Sequence, residues 1–290
     1  MKGLGDNLYQ RPFIRAAARS RDVYLETPWP ELYVDLPRVF PIRTGTTLRT
    51  QRKNEERAAA LYREPRRGCF LRRVSYGSAE LRVGSIIRAM ERSLPLKGAP
   101  LVMDVPPSIL TSPPLAGPYA LVRPVTRRRE WLNPARNPRP EYVAQVAADL
   151  RRRMPVVVVA DLESGEEELE GALPPHDVAY LRGELDLPEL LSLAAGAEVI
   201  VGGVGWIVPA AIALRRPAFV ILGGNGGHNA PEKITDRRLD LSRLAFAMPD
   251  HFCTCERMTH PCDKTNTRLP LQWETFSSRI LSSSPSLATA

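Results

Sequence analysis

Long apolar runs are missing from this sequence of 290 residues. No stretch of about 18 apolar residues occurs, so the sequence predicts no membrane-spanning helix. The N-terminus lacks the apolar centre of a signal peptide, and we therefore expect a cytoplasmic protein. With 43% hydrophobic and 25% charged residues, the composition is typical of a globular chain long enough for two domains.

Cysteine and histidine are scarce, with four of each. Three cysteines crowd together near the C-terminus, which fits a reducing compartment better than disulfides across the fold. Cys69 stands apart and is expected to be a small buried residue. Zinc takes four Cys or His ligands tetrahedrally, and the crowded group offers such a set, with His251 as a substitute for the histidine: Cys253, Cys255, His260 and Cys262. Such a site would be structural; free thiols in a loop are the alternative.

Acidic residues are too few to balance the basic ones, and the net charge is +8. Between Arg43 and Arg73, ten basic residues stand against three acidic ones. This density favours an anionic partner, such as nucleic acid, an acidic glycan or an anionic membrane surface. A solvated helix face is the alternative. Aromatic residues are sparse here, and no nucleic-acid-binding motif is recognisable.

The N-terminal part of the chain predicts an α/β unit. A Gly-rich turn at 3–6 precedes a helix over 8–20 and a strand over 22–26, and residues 41–100 are mostly helical by pattern. A strand expected before the Gly-rich turn is absent, so either the domain lacks its first strand or the true start lies upstream.

A clearer α/β series follows a Pro-rich connection at 99–118. Strands are predicted over 119–123, 155–160, 177–180, 198–201 and 218–222, with helices over 140–153, 187–195 and 208–214. This alternation calls for a parallel sheet covered on both faces. The sequence therefore predicts two domains, 1–115 and 116–275, and a Ser-rich flexible tail at 276–290.

Three stretches resemble glycosyltransferase family 9, the heptosyltransferase-like group with the GT-B fold. The spacing of Gly5-Asp6, Pro12 and Arg15-Ala16 is similar to the opening of the family, and residues 187–223 are similar to its donor-binding region. Residues 119–150 resemble its interdomain strand, basic loop and helix, and the chain is more similar to phage-type members. The resemblance implies two Rossmann-like domains facing across a cleft, the first on the acceptor side and the second binding the nucleotide-sugar donor.

The resemblance also implies an inverting transfer in which Asp6 is the base that deprotonates the acceptor hydroxyl. An aspartate that caps the following helix is the alternative, and one residue can do both. No Asp-x-Asp pair is present to hold a divalent ion on the diphosphate, so no cofactor is expected for catalysis. The family's Asp-Thr-Gly and subsequent His are replaced here by Val204, Gly205, Trp206 and Pro209.

Arginine and glycine supply the residues expected to bind the donor. Four arginines follow a strand end, where α/β proteins bind ligands, and a guanidinium group suits phosphate: Arg123, Arg127, Arg128 and Arg129. Three consecutive arginines cannot all face one ligand, so one or two are expected to bind it, with Arg127 preferred among the three; surface charge is the alternative. Gly-rich turns before helices present backbone N–H groups to anions. These turns contribute Gly3, Gly5, Gly203, Val204 and Gly205.

A further glycine run over 223–229 is predicted to be a flexible loop that closes on the ligand, with a plain surface turn as the alternative. The residues expected to contact the donor there are Gly224, Gly227, His228 and Asn229. Glu189, in a first helical turn, is a candidate contact for the ribose, although an acidic residue at that position also simply suits the helix dipole.

The residues leave other functions open. A nucleic-acid-binding protein of this fold without catalysis would explain the basic charge and the missing Asp-Thr-Gly. A phage enzyme that glycosylates a hydroxymethylated DNA base would explain both the basic N-terminal half of the chain and the sugar-nucleotide-binding C-terminal half. An epimerase-like enzyme of the same fold would act on the nucleotide sugar without an acceptor.

Overall fold

The protein is described by a computed structural model over residues 3–281. Up to residue 115, the helices and strands are α1 (Leu4–Ala18), β1 (Val23–Glu26), β2 (Val39–Ile42), α2 (Arg49–Arg57), α3 (Ser78–Arg82) and α4 (Ile86–Ser93). Short 3-10 turns lie at Pro30–Tyr33, Ala59–Leu61 and Pro107–Ile109. β1 and β2 form a parallel pair, in register from Val23 opposite Val39. The described N-terminal half is thus a small two-stranded sheet with helices around it.

Helix α1 begins earlier than the sequence predicts, at Leu4 rather than at residue 8. Asp6 is its third residue and accepts a hydrogen bond from the backbone N–H of Gly3, which supports the first turn. Further along, the guanidinium of Arg11 is fully buried and pairs with Asp35 at 2.6 Å and Asp104 at 2.9 Å. These contacts tie α1 to the connection between β1 and β2 and to the segment that follows α4.

Residues 41–100 contain less helix than the sequence predicts. Residues 62–77 form neither helix nor strand, and strand β2 was not expected. The physical reason is that Pro65 and Gly68 interrupt the segment and that its few apolar residues do not form a helical stripe. Cys69 is accordingly exposed, in contrast to the prediction that it is buried.

Beyond residue 115, most elements match the predicted alternation. They are β3 (Ala120–Val122), β4 (Thr126–Arg128), α5 (Pro140–Arg151), β5 (Val156–Val159), β6 (Glu167–Leu169), β7 (Val178–Tyr180), α6 (Leu187–Gly196), β8 (Val199–Gly203), α7 (Ile207–Leu214), β9 (Ala218–Ile221), α8 (Gly226–Asn229), α9 (Pro231–Ile234), β10 (Leu244–Ala247) and α10 (Leu269–Leu281). Six strands form a parallel sheet in the order β10-β9-β8-β3-β5-β7. Numbered along the chain, this is the 3-2-1-4-5-6 order of the doubly wound nucleotide-binding fold.

Both faces of this sheet are covered, and β5, β8 and β9 are fully buried. On one face, α5 and α10 pack through side chains such as Leu150 and Trp273. On the other face, Leu191 of α6 and Val208 of α7 belong to a core that continues into Phe13 of α1. The two halves of the chain therefore share one hydrophobic core.

The structure adds elements that the sequence does not predict. β4 and β6 form a separate antiparallel pair, and β10 extends the main sheet. Helix α10 takes in residues 276–281, which the sequence assigns to a flexible tail. Phe276 is 2% exposed and packs against Phe219 and Trp273, and this burial fixes the helix. Residues 282–290 of the predicted tail lie outside the described residues.

The predicted fold class, α/β with Rossmann-like domains facing across a cleft, is confirmed. The described N-terminal half is the smaller of the two, with a sheet of two strands against six in the other half. The domain boundary near residue 115 stays a prediction. None of the helices within residues 3–281 combines the length and the apolar character needed to cross a bilayer.

Candidate functional site

A cavity of about 800 Å³, called the cleft below, lies between the two halves. One wall consists of residues at the carboxyl ends of β3, β5, β7 and β8, and the other of residues from α1, α2 and the segment before α3. β3 and β8 are neighbours from which the chain proceeds to opposite edges of the sheet. Doubly wound proteins bind ligands in the crevice that opens at such a point.

The structure brings some of the predicted site residues together in the cleft and leaves others outside. Those lining the cleft are Gly3, Gly5, Asp6, Arg123, Val204, Gly205, His228 and Asn229. Those outside its lining are Arg127, Glu189, Gly203, Gly224 and Gly227.

Asp6 lies at the start of α1 and faces the cleft. Its Oδ2 accepts the backbone N–H of Gly3 at 3.3 Å, and its Oδ1 accepts the hydroxyl of Tyr76 at 2.7 Å. Burial raises the pKa of Asp6 above its ordinary value, although the hydrogen bond from Tyr76 acts in the opposite direction. A carboxylate with a raised pKa is a better proton acceptor, so the cap and the base predicted for Asp6 are compatible here.

Two arginines in the cleft have no carboxylate of their own. Neither Arg123 nor Arg136 forms an ion pair within residues 3–281, and the buried Nε of Arg136 has no hydrogen-bond partner there. Burial lowers the pKa of Arg123 to about 10 and also lowers that of Arg136. Unpaired, partly desolvated guanidinium groups create a strong preference for an anion.

Arg127, which was preferred among its basic neighbours, lies on the outer side of the β4–β6 pair. Its side chain is 57% exposed and stands 3.9 Å from Glu168. Arg128 instead lines the cleft, where it pairs with the buried Glu167 at 2.5 Å. The two side chains diverge because successive residues of a strand point to opposite faces.

The turn between β8 and α7 borders the cleft with small residues. A Cβ on Gly205 would stand 3.3 Å from the guanidinium of Arg123, so the glycine leaves room for that side chain. Gly5 packs against Trp206 and Pro209 at the start of α7. The N-terminal ends of α1 and α7 therefore meet at the cleft, and both favour a negative charge there. Gly203 packs against Pro138 instead of facing the cleft.

The glycine run at 223–229 is not the open flexible loop that the sequence predicts. A Cβ on Gly224 would overlap Cys262, and one on Gly227 would stand 2.6 Å from Glu256. Gly223 and Gly224 donate backbone hydrogen bonds to the carbonyls of Arg136 and Ala135, at 3.2 and 2.8 Å. The glycines are thus packing positions, required because two other segments approach their backbone closely.

The two polar residues of that run do reach the cleft. Nε2 of His228 lies 2.8 Å from the hydroxyl of Ser78, across the boundary between the two halves. The amide of Asn229 donates to Oδ1 of Asn225 at 2.5 Å and is buried. His228 is therefore the member of the pair whose contact changes if the halves separate.

Glu189 caps its own helix and does not face the cleft. Its side chain accepts the backbone N–H of Asp186 at 2.8 Å, and Asp186 in turn accepts the backbone N–H of Glu189. This reciprocal pair is a capping box. Asp186, not Glu189, lines the cleft.

The predicted metal ligands do come together. One donor atom from each of Cys253, Cys255, His260 and Cys262 lies within 4.8 Å of all the others. The sulfurs of Cys255 and Cys262 are 3.5 Å apart, and Nδ1 of His260 lies 3.4 Å from the Cys262 sulfur. Such spacings fit a tetrahedral ion with bond lengths of about 2.0–2.3 Å. The cluster can hold a structural metal ion, because four protein ligands leave no open position.

Helix α2 links the two halves through charged contacts that the sequence does not indicate. Arg49 and Lys53 donate to Asp161 at 2.8 and 3.1 Å, and Thr50 donates to its other oxygen at 2.8 Å. Burial acts to raise the pKa of Asp161, but these hydrogen bonds outweigh it and lower the pKa. Arg57 adds a hydrogen bond to the carbonyl of Gly183 at 2.7 Å.

Sequence reasoning missed Tyr76 and Arg136 as cleft residues. Each lies in a segment without helix or strand, far along the chain from the groups it meets. The basic character of both segments was visible, but no periodicity indicates which side chain turns inward.

Fold and cleft together define a two-part α/β protein with a crevice, lined by buried arginines, at the switch point of its sheet. No family model and no curated protein matches the sequence. Solved structures do match. The iron-containing dodecameric glycosyltransferase TibC from enterotoxigenic E. coli H10407 is 15% identical over 94% of this chain and 69% of that chain, with a TM-score of 0.60.

Two further structures agree with this match. TibC in complex with ADP-D-β-D-heptose, described there as a heptosyltransferase, is 15% identical over 98% of this chain and 75% of that chain, with a TM-score of 0.58. A glycosyl transferase family 9 protein from Veillonella parvula is 11% identical over 97% and 95% of the two chains, with a TM-score of 0.54. The chain therefore has the fold of these family 9, heptosyltransferase-like structures, as the resemblance predicted.

Proposed function

We propose that this protein is an inverting glycosyltransferase that moves a sugar from a nucleotide-sugar donor to a hydroxyl acceptor. One arrangement supports the proposal above all: the Asp6 carboxylate shares a cleft with the unpaired guanidinium groups of Arg123 and Arg136. Glycosyl transfer without a metal ion needs a proton acceptor and positive charge for the leaving diphosphate, and this cleft offers both.

The donor's diphosphate would lie between Arg123, Arg136 and the N-terminal end of α7. Each guanidinium can give paired hydrogen bonds to phosphate oxygens, and the Gly205 backbone allows close approach. TibC was solved with ADP-D-β-D-heptose. ADP-heptose is accordingly the first donor to test, and ADP the first nucleotide.

In the proposed reaction, Asp6 accepts the proton of the acceptor hydroxyl. The hydroxyl oxygen attacks the anomeric carbon of the sugar from the face opposite the diphosphate, and the bond from that carbon to the phosphate oxygen breaks. The nucleoside diphosphate leaves with the negative charge, which Arg123 and Arg136 stabilise. Attack from the opposite face inverts the anomeric configuration.

Thermal unfolding with added ADP, UDP, GDP and CMP tests the donor site, since a ligand bound to the folded state raises the melting temperature. We expect a shift with one nucleotide, and its loss in Arg123→Gln and Arg136→Gln. Arg127→Gln is the matched control, because it removes the same charge outside the cleft and should retain the shift. No shift with any nucleotide in folded, metal-containing protein would contradict the proposal.

The acceptor is proposed to be anionic, either an acidic glycan or nucleic acid. The segment 63–73 supports this, since its arginines are exposed: Arg63, Arg66, Arg67, Arg72 and Arg73. If DNA binds, log Kd should change linearly with log salt concentration, and replacing these arginines with Gln should flatten that slope. DNA binding with no turnover of any nucleotide sugar would favour the second candidate, a non-catalytic nucleic-acid-binding protein.

Zinc is the proposed occupant of the Cys253, Cys255, His260 and Cys262 cluster, which closes around an ion with four soft ligands. TibC is described as iron-containing, so iron is the competing occupant. Metal analysis of protein purified without added metal separates the two. One zinc per chain supports the proposal, and iron in its place contradicts it.

A further inference from the structure

Tyr76 lines the cleft and contacts Asp6. Its hydroxyl donates a hydrogen bond of 2.7 Å to Oδ1 of Asp6, while Oδ2 of the same carboxylate accepts the backbone N–H of Gly3. Burial and the neighbouring carboxylate raise the pKa of Tyr76 well above its ordinary value, so the hydroxyl keeps its proton and remains a donor. Oδ1 of Asp6, which lines the cleft, is therefore already engaged by a hydroxyl group.

The segment that carries Tyr76 is attached mainly to the other half of the protein. Ser78 contacts His228 at 2.8 Å, and Arg82 pairs with Glu256 at 2.7 Å. Lys233 donates to the carbonyl of Leu81. Asp6 lies on α1, whereas Tyr76 is anchored through these contacts to residues beyond 225. The Tyr76–Asp6 hydrogen bond thus forms where the two halves meet.

We propose that Tyr76 is a specificity-determining residue that takes the acceptor's place on Asp6 and prevents water from reacting with the donor until an acceptor displaces it. This inference rests on the proposed function, in which Asp6 is the base. A hydroxyl within hydrogen-bond distance of the base is the geometry that an acceptor must reach. A tyrosine hydroxyl held there excludes a water molecule from the same position.

The side reaction that Tyr76 suppresses is hydrolysis of the donor. Water would give its proton to Asp6, and its oxygen would bond to the anomeric carbon. The bond from that carbon to the diphosphate would break, releasing free sugar and nucleoside diphosphate. Oδ2 of Asp6 already accepts the backbone N–H of Gly3, so water and the Tyr76 hydroxyl compete for Oδ1.

Tyr76→Phe tests the inference, because it keeps the ring and removes only the hydroxyl. The rate of ADP release from ADP-heptose is measured without acceptor, together with ADP affinity by calorimetry. We expect hydrolysis to rise about tenfold, the factor associated with one hydrogen bond to a charged group, with ADP affinity unchanged. Asp6→Asn combined with Tyr76→Phe should abolish the increase.

Tyr62→Phe is the matched control, since Tyr62 donates to the carbonyl of Thr27 and lies outside the cleft lining. Ser78→Ala is a second test variant. It removes the contact with His228 and so loosens the segment that carries Tyr76 while keeping the Tyr76 hydroxyl, and it should raise donor hydrolysis to a smaller extent. If Tyr76→Phe leaves hydrolysis unchanged or lowers it while wild type turns over ADP-heptose, the inference is wrong and the proposed function stands.

Intact mass gives a further outcome. Sugar attached to wild-type protein but not to Tyr76→Phe would overturn the inference, because Tyr76 would then itself be an acceptor. If neither wild type nor Tyr76→Phe binds or hydrolyses any nucleotide sugar, the proposed function fails and the inference fails with it.

Discussion

Gly224 lies directly against Cys262, and its backbone N–H donates to the carbonyl of Ala135 at 2.8 Å. One glycine therefore joins the metal-ligand cluster to the loop that carries Arg136. The same loop is held from the other side, where the backbone N–H of Ala135 donates to the carbonyl of Met258 at 2.9 Å. The position of a cleft arginine thus depends on residues outside the cleft.

Gly224→Ala should disturb both the metal-ligand cluster and the cleft arginine Arg136. Its new Cβ would overlap Cys262 and crowd the Ala135 carbonyl at 3.2 Å, at a cost of about 1–3 kcal/mol in unfolding free energy. We expect a lower melting temperature, loss of bound metal and weaker ADP binding, measured by denaturation, metal analysis and calorimetry. Gly84→Ala, where the Cβ would stand 3.3 Å from the Arg88 side chain and 3.8 Å from the Arg92 guanidinium and would meet no backbone, is the control. Unchanged metal content in Gly224→Ala would contradict the prediction.

The hydrogen bonds of Asp161 to α2 predict acid-sensitive docking of the two halves. Because the folded-state pKa of Asp161 is lowered, its contribution is complete above the unfolded-state value near 4 and is lost as pH falls through the folded value. Arg49→Met should destabilise the protein by about 2 kcal/mol at pH 7 and flatten the loss of stability below pH 4. Arg52→Met, on an exposed face of α2, should change neither. Denaturant titrations between pH 3 and pH 7 measure both effects.

Asp6→Asn should separate catalysis from stability. Removing the base should lower kcat by about 10²–10⁴-fold while ADP affinity is kept. In wild type, kcat/KM should rise with pH through the Asp6 pKa, which lies above its ordinary value. Because the raised pKa makes the ionised carboxylate costly to the fold above the unfolded-state pKa, Asp6→Asn should keep or raise the melting temperature at pH 7. Asp22→Asn, at the exposed Arg38 pair, controls for lost charge.

Arg136→Met should stabilise the fold and weaken ADP binding. Burial lowers the pKa of Arg136, and the attraction of the Asp6 carboxylate offsets this only in part, so folding is expected to be more favourable once the charge is removed, by about 1 kcal/mol. ADP binding should weaken at least tenfold, since a charge-assisted hydrogen bond to phosphate is lost. A melting temperature that falls while ADP affinity is unchanged would indicate a structural role instead.

Local sequence was sufficient for most of the larger sheet. The run of valines in β5 is apolar and β-branched, and the helices α5 and α6 have clear starts at Pro140 and Asp186. β2 and β10 were missed because they are short and contain Pro41 or alanines, whose own preference is not for strands. Their pairing with neighbours, not their composition, makes them strands.

The candidate site likewise contains some residues that local sequence indicates and others that only the structure identifies. Asp6, the Gly205 turn and the cysteine cluster are local patterns, and each could be read from spacing. Arg127 was preferred over its neighbours, but a strand alternates its side chains, and only the pairing of β4 with β6 decides which arginine faces the cleft. The sequence predicts a mobile loop for the glycine run at 223–229, yet its glycines pack closely against residues 26 or more positions away.

The sequence by itself determined the alternation of strands and helices, the grouping of four metal ligands and the excess of positive charge, because each depends on residues near one another in the chain. The tertiary structure decided that Tyr76 reaches Asp6, that Arg123 and Arg136 stay unpaired and that α2 docks on Asp161. These relationships join segments separated by tens of residues. They depend on which surfaces are buried when the halves pack together, and no local propensity encodes that.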